Sequence, residues 1–225
     1  MGTLDIRQSI VCYLLFVLSI SIHEFSHAFV AYLFGDSTAK TYGRMTLNPL
    51  AHLDLIGTVL IPLTMMIVPC NIAIVGWGRP VPVDIRNFKY RTIGDICTNL
   101  AGPFSNLIVA TFLMIINCSP WFCHNNVVRH LLAIAACMNI SLAIFNLLPL
   151  PPLDGSCLLK YVTNMSEEAF LMISQWSYII MLVLINLPQF RHLLFNAINY
   201  TFYGIGYLSC KIVGTTEDML FSFIK

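Results

Sequence analysis

His23, Glu24 and His27 stand in the order His-Glu-x-x-His, within the run HEFSH. On an α-helix, residues four apart share a face, so both imidazoles can reach one metal ion. The carboxylate beside the first histidine then lies next to that ion, where it can serve as general base toward a zinc-activated water. With six His and four Glu in 225 residues, about 0.003 such patterns are expected by chance. Glu24 is also the only formally charged residue between Gln8 and Phe34. An acid inside a membrane helix costs about 3 kcal/mol on insertion scales and therefore marks a functional site by default. The plain alternative is a polar knot, in which His23 and Glu24 bond neighbouring helices. It does not account for the second histidine or the spacing.

Two histidines leave a zinc site incomplete, because catalytic zinc takes three protein ligands. The remaining candidates are His52, His124, His130, His192 and the acids. Asp154 stands out among them: it follows NLLPLPPL (146–153), precedes Gly155 and lies at the end of an apolar run. Prolines end a helix and force extended backbone, while Gly155 permits a tight path, so one carboxylate can be held at a fixed place. His52 and Asp54 carry two readings. They could approach the metal, bind substrate or stabilise an oxyanion, or they could pin a hairpin mouth by hydrogen bonds. His124, His130 and His192 are expected on the far side, at the membrane interface.

The elements that must position these residues follow from composition. The chain is 57% hydrophobic and 10% charged, with net charge +1 and a mean hydropathy of +0.77. A soluble domain carries roughly 25% charged residues. Disorder, a polyanionic partner such as nucleic acid, and an ordinary cytosolic enzyme are therefore poor readings. Five runs reach the roughly 20 apolar residues a membrane span needs: 8–34, 91–117, 127–148, 169–187 and 193–213. A sixth run, 55–77, is broken by Pro62 and by Pro69-Cys70-Asn71, and reads better as a re-entrant hairpin than as a clean span. Segments 38–47 and 79–83 look extended, and the alternating prolines of the second favour a sheet edge. Trp77, Trp121 and Trp176 fall near predicted boundaries, as an aromatic belt would. Glu167 and Glu168 should open a helix at its positive end.

The expected architecture is an all-α polytopic membrane protein with five to six transmembrane helices, one re-entrant hairpin and short membrane-surface β-strands. It forms a single domain over 1–225, with a catalytic core over about 8–160 and accessory helices over about 161–225, and no soluble domain. The first apolar run is too long for a secretory leader and lacks a basic start and cleavage site. Of the eight cysteines, those inside apolar runs read as small buried hydrophobes. Cys118 and Cys123 flank a short loop and could pair if it is extracytoplasmic.

Together, HEFSH (23–27), AGPFSN (101–106) and NLLPLPPLDG (146–155) resemble the site-2 protease family of intramembrane zinc metalloproteases. NPLAHLD (48–54) with Gly57-Thr58, and Gly76-Trp77 with PVPV (80–83), are similar to a compact bacterial branch of it. The resemblance covers about residues 19–157. It implies one zinc per chain held by His23, His27 and Asp154, with Glu24 as general base. It also implies that Asn146 holds substrate backbone or the oxyanion. Asn106, His52 and Asp54 are further candidates for substrate binding or for supporting the ligands. The implied reaction is hydrolysis of a peptide bond within or beside a transmembrane segment of a membrane-protein substrate, locally unwound, which either of the two extended segments could stabilise by strand addition.

For HExxH and Asp154 to share one metal, their two helix ends must face the same side, which a re-entrant 55–77 allows and a full crossing forbids. Lys and Arg then divide nine to three. That bias places the site toward the cytoplasmic half of what is expected to be a bacterial inner membrane. Two rivals stand beside this reading: another HExxH membrane metallopeptidase, such as a prenyl-protein protease, and a non-enzymatic metal-binding membrane protein.

Overall fold

The computed structural model describes residues 6–67, 76–122 and 125–215. Among them the secondary structure is entirely helical. The long helices are α1 (Ile6–Leu33), α4 (Arg91–Cys118), α5 (Asn126–Asn146), α7 (Glu167–Asn186) and α8 (Pro188–Val213), with short α2 (Thr38–Thr41), α3 (Ile61–Ile67) and α6 (Gly155–Val162) between them. Four of these, α1, α4, α5 and α7, are long and apolar enough to cross a membrane. The fifth expected span lies within α8, which has the length but carries Arg191, His192, Asn196 and Asn199 in its first half. Large apolar side chains such as Leu18, Ile108 and Phe112 face outward, as they do in an integral membrane protein, where lipid is the solvent.

The helix starts follow local chemistry. Asn125 caps α5 by accepting from Val128 N–H, and Ser166 caps α7 by accepting from Ala169 N–H, with Glu167 and Glu168 in the first turn. The core lies where α4, α5 and α8 meet, around Ala110, Met114, Ala133, Ala136, Ile140 and Phe202. Small residues at this contact let the helix backbones approach closely. Cys118 joins this core, its Sγ 3.0 Å from Cys210 Sγ on α8. Its expected partner Cys123 lies outside the described residues.

The two segments expected as strands are not strands. Thr38–Thr41 is a single helical turn. Asp36 is fully buried, and its carboxylate accepts from the Thr38 N–H at 3.0 Å and the Thr38 hydroxyl at 2.5 Å. It also accepts from Asn87 Nδ2 at 2.9 Å and from Asp84 N–H at 2.8 Å. A side chain that captures the following backbone nucleates a turn in preference to extension. Burial pushes the Asp36 carboxyl up, but the bonds from Thr38, Asn87 and Asp84 outweigh it and hold the carboxyl below the usual carboxylate range. The 79–83 segment joins no strand ladder, and several of its pairing groups are already spent. Pro80 and Pro82 have no N–H, Val81 N–H donates to Glu24, and the Arg79 and Pro80 carbonyls accept from Arg44 Nη2.

Residues 55–60 form a wide, π-type turn capped by Asp54, which accepts from Ile56 N–H and Gly57 N–H. This turn continues into α3. The Thr58 hydroxyl donates to the Trp77 carbonyl at 2.7 Å, and Arg79 N–H donates to the His52 carbonyl at 2.8 Å. The two ends of the 55–77 run therefore stand side by side. The expected turn at Pro69-Cys70-Asn71 lies outside the described residues.

Candidate metal centre

α1 carries both histidines on one face. Their Nε2 atoms are 3.0 Å apart and the rings are edge-on, with centroids 4.6 Å apart. Both are at least nine-tenths buried. The His27 Nδ1–H donates to the Thr98 carbonyl of α4 at 2.6 Å. That bond fixes the tautomer and leaves the Nε2 lone pair free.

The third group arrives from far along the chain. α5 ends at Asn146, and the proline-rich turn brings Asp154 to the N-terminus of α6. Gly155 is required there, because a Cβ would strike the Leu147 carbonyl. An Asp at a helix N-cap ordinarily accepts from the first-turn amides. Asp154 makes no such bond; its Oδ2 lies 3.2 Å from His23 Nε2 and 3.5 Å from His27 Nε2. Gly102 of α4 packs directly against the histidine pair, where any Cβ would collide with both imidazoles.

Two imidazole nitrogens and one carboxylate oxygen thus lie within 4.8 Å of one another. Asp154 Oδ2 is buried and takes no well-aligned hydrogen bond. A cation shared by the three atoms resolves this crowding of electron pairs. Two His and one carboxylate are also ligand types that zinc takes in catalytic sites. Glu24, half-buried, is oriented by Val81, whose N–H donates to Oε2 at 3.1 Å. A cavity of about 1060 Å³ opens over the group and is lined by Trp77, Asn146, Tyr178 and Leu194 besides the site itself.

The other candidates are placed differently. Asn146 faces the cavity, with Nδ2 donating to the Leu142 carbonyl at 2.9 Å. His52 is fully buried away from the metal group, and its Nε2–H donates to the Thr46 carbonyl at 2.7 Å. Asp54 likewise lies outside the metal group, capping the turn at 55–60. Asn106 is buried one helical turn beyond Gly102. Neither His130 nor His192 joins the metal group, and His124 lies outside the described residues.

Asp95 on α4 was missing from the sequence-derived candidates. Its Oδ2 accepts from the Tyr161 hydroxyl at 2.8 Å and from the Cys157 thiol at 3.7 Å, and its Oδ1 accepts from Asn99 Nδ2 at 2.9 Å. Cys157 and Tyr161 share one face of α6, so Asp95 anchors the helix whose first residue follows Asp154. Burial, followed by the bond to Asp95, pushes the Tyr161 hydroxyl up and keeps it a donor. Asp95→Ala should weaken zinc binding about 10-fold, the low end of the effect of losing a ligand's supporting partners. Asp95→Asn, which keeps an acceptor, should restore most of it. Competition with a chelating indicator measures both, and equal affinity in all three chains would remove Asp95 from the account. The signal existed in the sequence, since Asp95 is an acid inside an apolar helical run.

Comparison with known proteins adds an independent line. The model described as peptidase family M50 matches residues 121–187, the stretch that holds Asn146 and Asp154. YwhC of Bacillus subtilis (strain 168), by its name a candidate zinc metalloprotease, is 36% identical over 191 residues, 81% of this chain and 83% of that protein. Rip2 of Mycolicibacterium smegmatis, named in the same way, is 29% identical over 199 residues, 88% and 74% of the two chains. Rip2 of Mycobacterium tuberculosis (strain H37Rv) is 27% identical over 188 residues, 83% and 70%. No solved structure matches the chain significantly.

Proposed function

The chain belongs to peptidase family M50, the site-2 protease family, and is an intramembrane zinc metalloprotease; we propose that His23, His27 and Asp154 are its zinc ligands and Glu24 its general base. The observation that carries this assignment is the convergence of two Nε2 atoms and one carboxylate oxygen beside Glu24. Regulated intramembrane proteolysis is the role of this family, whose substrates are membrane proteins in the bilayer.

Zinc in such a site supplies Lewis-acid activation of a water and of the scissile carbonyl. The residues supply the rest. The Thr98 carbonyl and Gly102 fix the two rings, and Asp95 fixes the helix behind Asp154. Val81 N–H holds one Glu24 oxygen, leaving the other to accept a proton from the attacking water. Glu24 then returns that proton to the leaving amine nitrogen, as general acid–base catalysis requires. Asn146, on the cavity wall, donates to the substrate carbonyl in this scheme. α7 and α8, the accessory helices, supply part of the same wall through Tyr178 and Leu194.

The 55–77 run is a re-entrant hairpin in this reading. Its support is the pairing of Thr58 with Trp77 and the shared site itself, which requires the ends of α1 and α5 to face one side. The nine-to-three division of Lys and Arg supports a site in the cytoplasmic half. The bacterial origin of the relatives supports a bacterial cell membrane. Strand addition of substrate along 79–83 would have to displace Glu24 and Arg44, which occupy the Val81 amide and two carbonyls.

The test is cleavage of a purified membrane-spanning substrate by the purified chain in liposomes. Chelation should abolish cleavage and one equivalent of zinc should restore it. Cleavage that survives complete removal of metal would contradict the proposal.

A further inference from the structure

A group of buried polar atoms lies behind His23 and is not explained by the ligand set. With Nε2 turned to Asp154, the His23 Nδ1 faces the other way, and it is buried with no protein partner. His27 differs, since its Nδ1–H has the Thr98 carbonyl.

The neighbouring helices bring matching groups to the same level. One turn before His23 on α1, buried Ser19 accepts from Asn139 Nδ2 of α5 at 2.9 Å, while Asn139 Oδ1 is buried and unpaired. α4 runs antiparallel to α1: Gly94 lies against Phe34, and the Cβ position of Gly102 is 2.7 Å from His23 Nδ1. One turn farther, about 6 Å along the helix, this register carries Asn106 to the level of Ser19. Asn106 is 0% exposed, and neither end of its carboxamide has a protein partner. An unpaired buried polar atom costs about 1–3 kcal/mol, and native interiors meet such demands with internal water making about three hydrogen bonds.

We infer that Asn106 and Asn139 hold an internal water that accepts the Nδ1 proton of His23. The water also accepts from the Asn106 carboxamide and donates to Asn139 Oδ1. It sets the His23 tautomer as the Thr98 carbonyl sets that of His27, so both rings present Nε2 lone pairs to the metal. Asn106 and Asn139 are positioning residues in this arrangement. The inference rests on His23 being a zinc ligand.

Asn106→Leu tests it, because leucine is close in shape and holds no water. The expected result is zinc affinity 10- to 100-fold below the wild type, the usual effect of losing a ligand's hydrogen-bond partner, with the helical spectrum unchanged. If Asn106 is only a packing residue, the leucine variant instead binds zinc like the wild type and melts higher, which overturns the inference. A wild type that binds no zinc overturns the metal assignment and this inference with it. Normal binding by wild type and variant alike overturns the inference alone. Should the variant not fold, the wild type decides: nuclear magnetic resonance on the ¹⁵N-labelled chain should show magnetisation transfer from a long-lived water to the Asn106 carboxamide and the His23 Nδ1–H. No transfer to either group overturns the inference.

Discussion

A chain carrying Glu24→Gln should bind one zinc as the wild type does, yet cleave a membrane-spanning substrate about 10²- to 10⁴-fold more slowly, the range that general-base catalysis supplies. The substitution is close to isosteric. Glutamine keeps a carbonyl oxygen for the Val81 N–H, which now donates to Glu24 Oε2 at 3.1 Å, so the 79–83 segment should stay in place. What is lost is the ability to take a proton from water and deliver it to the leaving amine. Zinc content and single-turnover cleavage measured on the same preparation separate the two properties. Normal cleavage would remove Glu24 from the chemistry and favour a merely metal-binding site.

The second large effect should come from Asp154→Ala. Removal of a direct ligand should weaken zinc binding by more than the roughly 10- to 100-fold that loss of a supporting partner costs, and cleavage should fall with it. Stability should respond differently. Replacing an N-cap Asp by Ala ordinarily costs about 1 kcal/mol, but the Asp154 side chain makes no capping bond to α6. The metal-free variant should therefore melt close to the metal-free wild type, because Cys157 and Tyr161 still hold α6 to Asp95. Thermal unfolding with and without zinc measures this. A large loss of stability in the metal-free form would mean that Asp154 serves the fold before it serves the metal.

The parts of this site readable from sequence are those governed by short-range rules. His23 and His27 meet because four residues make about one helical turn. Asp154 was marked by the prolines before it and the glycine after it, and Gly155 proves to be wedged against Leu147. Long-range partners were harder to read. Arg44 reaches the carbonyls of Ala51, Arg79 and Pro80, which no spacing rule connects. Asp95 carries the signal of an acid inside an apolar run, but Cys157 and Tyr161, the partners that tie it to α6, lie more than 60 residues away. Thr and Tyr propensity favours extension at 38–47, but the buried carboxylate of Asp36 starts a helical turn there instead. Apolar length alone sets the fifth expected span at 193–213, while α8 begins at Pro188 and brings Arg191 and His192 with it.

Zinc K-edge X-ray absorption on the purified wild-type chain tests the central claim most directly. The account predicts one zinc per chain with nitrogen and oxygen neighbours at about 2.0–2.2 Å and the outer-shell scattering of two imidazole rings. A sulfur neighbour at about 2.3 Å, or no stoichiometric zinc, would contradict it.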